Sequence, residues 1–232
     1  MRPIYALAPL VFLAVSACAT TTAPTEQEQA VIDTMNANTI VPASQTERDA
    51  IRSQDLLTQA AFWAEAHELN PSDLEAATEL SGTLRQLGNH RRAAEVAQQS
   101  LALYPDNAPL LFAYGSAMAA AGRGAGAMEA LRRATQIDPG NWQYLNALGI
   151  AQEQAGQPGP ARASFQAALE LQPGNPSILS NIALSYMAAG ETETAERMLR
   201  EAMIRPGADP TVRQNLALAM ALQGRFEEAE TM

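Results

Sequence analysis

Residues 142–173 read WQYLNALGIAQEQAGQPGPARASFQAALELQP, and one glycine in that stretch, Gly156, decides the fold because it belongs to a column. Gly88, Gly122, Gly156, Gly190 and Gly224 stand 34 residues apart without a slip. With 14 glycines in 232 residues, four further matches to a first have a chance probability of roughly 10⁻⁵, so the chain is an array of repeats. Other columns keep the same register. Five residues after each glycine stand Ala93, Ala127, Ala161, Ala195 and Ala229, and eight before it Leu80, Tyr114, Leu148, Ile182 and Leu216. Seven before it the residue is always small: Ser81, Gly115, Gly149, Ala183, Ala217. Pro71, Pro105, Pro139 and Pro173 form a last column, broken only by Gly207 beside Pro206.

Within a unit the apolar positions recur at intervals of three and four, which predicts two amphipathic helices and an all-α fold. Glycine suits the left-handed residue that closes the first helix, and proline cannot continue the second. The small residues fall where the two helices of a hairpin cross, and a larger side chain there would push the backbones apart. Helix starts are expected at a capping box of Ser72 with Glu75, at Asn175 before Pro176, and at Asp209 before Pro210. A helix pair this short cannot bury its own apolar stripe. Neighbouring pairs are therefore expected to stack into a right-handed superhelix with the first helices on its concave face.

The pattern of Leu145, Leu148, Gly149, Ala161, Phe165, Ala168 and Pro173 resembles the tetratricopeptide repeat (TPR). The resemblance covers residues 71–232, as four full repeats and a partial fifth, and implies a superhelix of antiparallel helix pairs that binds protein segments. It also implies a scaffold role for Asn181 and Asn215, which match an asparagine common in the family. Upstream, residues 44–70 keep the register faintly. Ala66 and Pro71 hold phase and Trp63 takes the bulky slot of Leu131, Phe165 and Leu199, but Gln54 replaces the turn glycine. This stretch is a degenerate repeat or one longer helix, opened by a second capping box of Ser44 and Glu47, and it acts as a capping element. The last unit stops at Met232 inside its second helix, so the chain is expected to be a fragment or to dock its end on a partner.

The amino terminus carries one charge, Arg2, and then an apolar run from Ile4 to Ala14 that is too short for a permanent membrane span. Residues 1–17 read as a lipoprotein signal peptide. The sequence Leu13, Ala14, Val15, Ser16, Ala17, Cys18 looks like the lipobox of bacterial lipoproteins, which makes Cys18, the only cysteine of the chain, the expected lipidation site. Residues 18–43, rich in Thr, Ala, Gln and Asn, form a flexible tether. Ala19 in the position after the cysteine implies outer-membrane sorting and a periplasmic array.

The formal charge is −10 and every one of the 15 cations is an arginine. Such a surface is repelled by nucleic acid and by anionic lipid, so membrane attachment is expected through the lipid anchor and no nucleic acid is expected as a partner. His67 and His90 have no cysteine or carboxylate at metal-ligand spacing, which gives no metal site and no catalytic residue. Gly122, Gly124 and Gly126 lack the strand and the lysine of a phosphate loop and read as a loose helix start. No enzyme activity, cofactor or small-molecule substrate is expected.

For a TPR superhelix the resemblance implies a concave lining of first-helix side chains. Six residues before each glycine these are Gly82, Ser116, Ile150, Leu184 and Leu218; three before it, Arg85, Ala119, Glu153, Met187 and Ala221. With Phe112, Asn146 and Leu222 they make an expected peptide-binding groove of Phe112, Asn146, Ile150, Leu184, Met187, Leu218 and Leu222. The groove turns apolar toward the later units, which suits an apolar strand or an amphipathic helix rather than a free carboxylate. The stretch from Arg213 to Phe226 closely resembles the last repeat of the TadD family, the TPR lipoproteins of Tad (Flp) pilus assembly systems. Residues 60–71, with Phe62, Trp63, Ala66, His67 and Leu69, are similar to that family's first ordered segment. The resemblance implies an outer-membrane role in which the protein helps a secretin, or another pilus-assembly component, to localise or multimerise. The end of the chain departs from the family, which continues beyond its last repeat. Other envelope machines served by TPR lipoproteins, a type IV pilus pilotin or an outer-membrane assembly complex, and a noncatalytic module of a peptidoglycan or polysaccharide complex, are the alternatives.

Overall fold

The computed structural model describes residues 43–232, which form twelve helices and, among the described residues, no strand. A short hairpin, α1 (Gln45–Ile51) and α2 (Leu56–Leu69), precedes four full ones. These are α3 (Leu74–Gln86) with α4 (His90–Leu101), α5 (Ala108–Ala120) with α6 (Gly124–Ile137), α7 (Trp142–Gln154) with α8 (Pro158–Leu171), and α9 (Pro176–Ala188) with α10 (Thr192–Met203). A last hairpin joins α11 (Pro210–Leu222) to the five-residue α12 (Phe226–Glu230). Each helix packs on its neighbours in the chain, and the first helices also touch in succession: α3 on α5, α5 on α7, α7 on α9, α9 on α11. The second helices stand further apart, with no Cα of one within 8 Å of another. A stack with one row in contact and the other splayed bends toward the row in contact, which places the first helices on the inner side.

The glycine column closes the first helices by one repeated device. Gly88, Gly122, Gly156, Gly190 and Gly224 all have φ between 72° and 83°. Around Gly156 the Gln157 N–H donates to the Gln152 carbonyl and the Gly156 N–H to that of Glu153. The same two bonds recur as Asn89 to Leu84 and Gly88 to Arg85, Arg123 to Met118 and Gly122 to Ala119, Glu191 to Tyr186 and Gly190 to Met187, and Arg225 to Met220 and Gly224 to Ala221. This pairing satisfies carbonyls that a helix end otherwise leaves open.

The first helices open on a column the sequence reading saw only in part: Asp73, Asn107, Asn141, Asn175 and Asp209, again 34 residues apart, each accepting from a backbone N–H two or three residues on. The expected box of Ser72 with Glu75 is not formed. Asp73 is the cap, the Ser72 hydroxyl bonds the Asn70 side chain, and Glu75 turns to two arginines of α1 and its end. The shorter carboxylate at position 73 reaches the Ala76 N–H at 3.0 Å, and Ser72 lies one residue too early to do so.

The segment before the array is two helices, so the alternative of a single longer helix is not what forms; the chain breaks at Ser53 and Gln54, and Asp55 caps α2. Ser44 and Glu47 do make a reciprocal capping box at α1. The hairpin is held by Trp63, fully buried, with the guanidinium groups of Arg48 and Arg52 at 5.7 and 5.8 Å from its ring. Arg48 pairs with Asp73 and with Glu75 (2.8 Å), and Arg52 with Glu75 and Glu79, which ties α1 to α3. Burial pushes the Asp73 and Glu75 carboxyls up, but the bonds from Arg48, with Ala76 at Asp73 and with Gln45 and Arg52 at Glu75, outweigh it and leave both below their ordinary values.

Between the helices of a hairpin the columns mesh. Ala93, Ala127, Ala161 and Ala195 are fully buried, and Trp63, Leu131, Phe165 and Leu199 occupy the bulky slot at zero or one per cent exposure. Opposite them a side chain on Gly115 would lie 2.5 Å from Leu131 Cγ, and one on Gly149 would strike the Phe165 ring. The cores are local and repeat by repeat; Ala161, Phe165 and Ala168 of one unit pack with Ile178 and Ile182 of the next.

Ala161→Leu is expected to overpack this crossing at a cost of roughly 1–3 kcal/mol. A Cβ at Gly156 meets no atom within 4 Å, so the penalty of Gly156→Val comes chiefly from the left-handed backbone, roughly 1–2 kcal/mol, and Gly156→Asn should recover part of it. Thermal unfolding by circular dichroism checks both. In Arg48→Met the midpoint at pH 7 is expected to fall by about 2–4 °C, corresponding to roughly 1 kcal/mol in a chain of this size. Because the folded Asp73 and Glu75 values are depressed, their contribution is present above the unfolded values near 4 and is lost as pH falls through the folded ones. Wild type and variant should therefore converge as pH falls below about 4; a gap that stays constant would show that the ion pairs are not its source.

Candidate functional site

On the inner row the chain leaves an open cleft of about 530 Å³ that spans α3, α5, α7 and α9. Its walls are set by helix phase. Phe112 and Asn146 stand ten residues before their glycines, and Ile150 six before, on the side of α5 and α7 turned away from the hairpin partner. Phe112 is half-buried and leans on Tyr144 with ring centres 5.0 Å apart, which fixes its χ angles against the next unit. Asn146 Oδ1 accepts from Asn181 Nδ2 at 2.9 Å, and Asn215 Nδ2 donates to Ser180 Oγ at 2.9 Å. These bonds run between first helices of consecutive units, so Asn181 and Asn215 set the spacing of the groove floor. Ser116 sits in the wall of the cleft at 8% exposure, and its buried hydroxyl has no hydrogen-bond partner among the described residues. Arg85 enters from α3 as the one charged residue of the lining.

The seven expected groove residues do not stay together. Phe112, Asn146 and Ile150 line the one cleft, whereas Leu184, Leu218 and Leu222 lie at 39%, 47% and 57% exposure on α9 and α11. Met187 is a correction: at 9% exposure it belongs to the core with Leu179, Ala183, Val212, Leu216 and Met220. The position three before the glycine is turned toward the seam between consecutive first helices, where Ala119 is also buried, and an unbranched methionine reaches into that seam. At this phase Ala119 and the longer Arg85 line the cleft, whereas Glu153 does not. Trp142, Gln143 and Gln154 line it too and were not anticipated. They occupy the first, second and thirteenth positions of α7, near its two ends, where the groove phase was not extended. Cys18 lies outside the described residues.

The lining of the cleft holds no His, Cys, Asp or Glu. Among the described residues no three His, Cys, Asp or Glu side chains gather as metal ligands, and no helix is long and apolar enough to cross a membrane. His67 is held below its ordinary value by burial and then by the charge of Arg92, and it stands on α2, away from the groove lining. The arginine pairs sit on the second helices, Arg91 and Arg92 sharing Glu95 while Arg132 meets Glu129 and Arg133 meets Asp106. The Gly122 to Gly126 segment opens α6, and a side chain on Gly124 would lie 2.5 Å from the Ala151 carbonyl oxygen, so this glycine serves the approach of α7.

Comparison with known families matches the tetratricopeptide repeat at residues 84–149 and 153–205, and a second description of the same repeat at 180–231. No curated protein matches. Among solved structures, PilW, titled a widely conserved type IV pilus biogenesis factor, aligns with a TM-score of 0.68 at 22% identity, over 82% of this chain and 92% of that one. A thermophilic TPR protein of Thermus thermophilus aligns at 0.64 and 23%, over 72% and 91%. MamA from Desulfovibrio magneticus aligns at 0.57 and 18%, over 67% and 88%. At these identities the likeness is one of fold.

The division between groove and core is open to test. Met187→Ala is expected to destabilise the protein by about 2–5 kcal/mol, since it opens a cavity between α9 and α11. Leu184→Ala, one turn away and exposed, should stay within about 0.5 kcal/mol of wild type. Urea titration followed by circular dichroism reads both, and equal effects would place Met187 on the surface.

Proposed function

The chain belongs to the tetratricopeptide-repeat family, whose arrays mediate protein–protein interaction, and from that premise we propose that it is a non-enzymatic outer-membrane lipoprotein that holds a protein segment in its first-helix groove during assembly of a Tad/Flp-type pilus or secretion apparatus. In this reading Cys18 carries the acyl anchor, the tether sets the array into the periplasm, and the groove helps a secretin to localise or multimerise. The observation that carries it is the open cleft shared by four successive first helices, apolar at Phe112, Trp142 and Ile150. Such a surface spends no binding energy on its own folding and suits a docked strand or helix. The junction from Leu13 to Cys18 supports the anchor, and the stretch from Arg213 to Phe226 supports the Tad/Flp assignment. The PilW likeness favours a second reading in which the same groove serves a type IV pilus.

Labelling cells with an alkyne fatty acid should mark the wild type and not Cys18→Ser, which should also leave the membrane fraction. Equal labelling of both would remove the anchor. Crosslinking with mass spectrometry from intact envelopes should recover a secretin with wild type and lose it with Ala120→Trp, which fills the cleft from an exposed position at its wall. A Tad-system secretin supports the first reading, and a type IV pilus secretin the second. Unchanged recovery with the blocked cleft would move the contact to the exposed Leu184, Leu218 and Leu222 face.

A further inference from the structure

The chemistry of the partner segment is written in the one charge of the cleft. Arg85 is half-buried in its wall, and among the described residues no carboxylate lies within 4.0 Å of its guanidinium. The other polar side chains of the cleft lining, Ser116, Gln143, Asn146, Gln154 and Ser177, are neutral. A segment that closed over this cleft with apolar side chains alone would strip water from the guanidinium and leave it unpaired, a state far costlier than an open, hydrated arginine. A carboxylate on the segment removes that penalty, since the planar fork of arginine takes both carboxylate oxygens at once. The large apolar side chains of the lining are Phe112 on α5 and Trp142 and Ile150 on α7.

We propose that the groove selects a protein segment carrying an acidic residue set against Arg85 at the α3 end and, toward α7, a large aliphatic or aromatic residue seated on Phe112, Trp142 and Ile150. The inference rests on the reading of this cleft as the docking site, and it adds the charge and the polarity of what docks. The formal charge of −10 sharpens it. Elsewhere an acidic segment is repelled, so the attraction is confined to the short range of one pocket and survives only where the apolar anchor also fits.

The probe is an array of synthetic twelve-residue peptides in a Gly/Ser background, each with one Leu or Phe and, at varied spacing, one Asp, Asn or Lys. Binding is to the full chain, and selected peptides are measured by fluorescence anisotropy. Wild type should prefer Asp over Asn peptides by about tenfold. That preference should vanish in Arg85→Gln and turn toward the Lys peptides in Arg85→Glu, and Ala120→Trp should lose every peptide. Circular dichroism should be unchanged in all three, whose sites are half-buried or exposed. Equal binding of Asp and Asn peptides by wild type, or an Asp preference that persists in Arg85→Glu, overturns the proposal while loss in Ala120→Trp keeps the groove. Binding that persists in Ala120→Trp, or an array from which wild type retains nothing, overturns the groove reading and the proposal together.

Discussion

The close approach of two helices at a position that holds only a small residue is the constraint on which the rest depends. Where Gly115 faces Leu131 and Gly149 faces the Phe165 ring, even one methyl group would lie inside contact distance. With the hairpin closed at that distance, the first helix has one face spent on its partner and a second on the next unit. Only the third remains free. The row of such faces is the groove, so the pocket that would take a partner is a by-product of how each hairpin buries its core.

The same geometry explains why stability and recognition separate by helix phase. Positions eight and seven before the glycine look into the hairpin and are apolar or small. The position three before it looks toward the neighbouring first helix, which is why Ala119 and Met187 are buried although the periodicity alone gives them an outward address. Of the positions ten and six before it, Leu184 and Leu218 look out, while Ser116 and Ser180 are covered. Asn181 and Asn215 then bind neighbouring first helices through side chains, so polar residues near the groove serve spacing as well as contact. Arg85 is the one charged residue in the lining of the cleft. The ion pairs gather at the amino-terminal hairpin, on the second helices and at the end of the array, where Glu196 meets Arg200 and Arg225.

How legible the site was follows from the range of the interactions involved. Phe112 and Ile150 were readable because their address depends only on distance from a glycine in the same helix. Trp142 and Gln154 were not, because they lie near the two ends of α7, and whether a helix end opens into a cleft depends on the helices on either side. The cap at Asp73 was displaced by one residue in the reading because Ser72 and Glu75 satisfy the pattern of a capping box, while Glu75 is committed to Arg48 and Arg52. That competition involves residues more than twenty positions away.

From the sequence alone come the repeat length, the helix pair within each unit, the glycine that ends its first helix and the small-residue crossing, all of which rest on contacts within one repeat. The partial register upstream and the apolar character of the inner row were legible for the same reason. What only the tertiary structure decided are the relations between repeats: that Met187 is core, that Phe112, Asn146 and Ile150 share a cleft over α5 and α7, and that Arg85 is the one charged residue of its lining. Periodicity records which way a side chain points from its own helix. Whether a neighbouring helix then covers that side chain depends on how consecutive units pack, and no single unit carries that information.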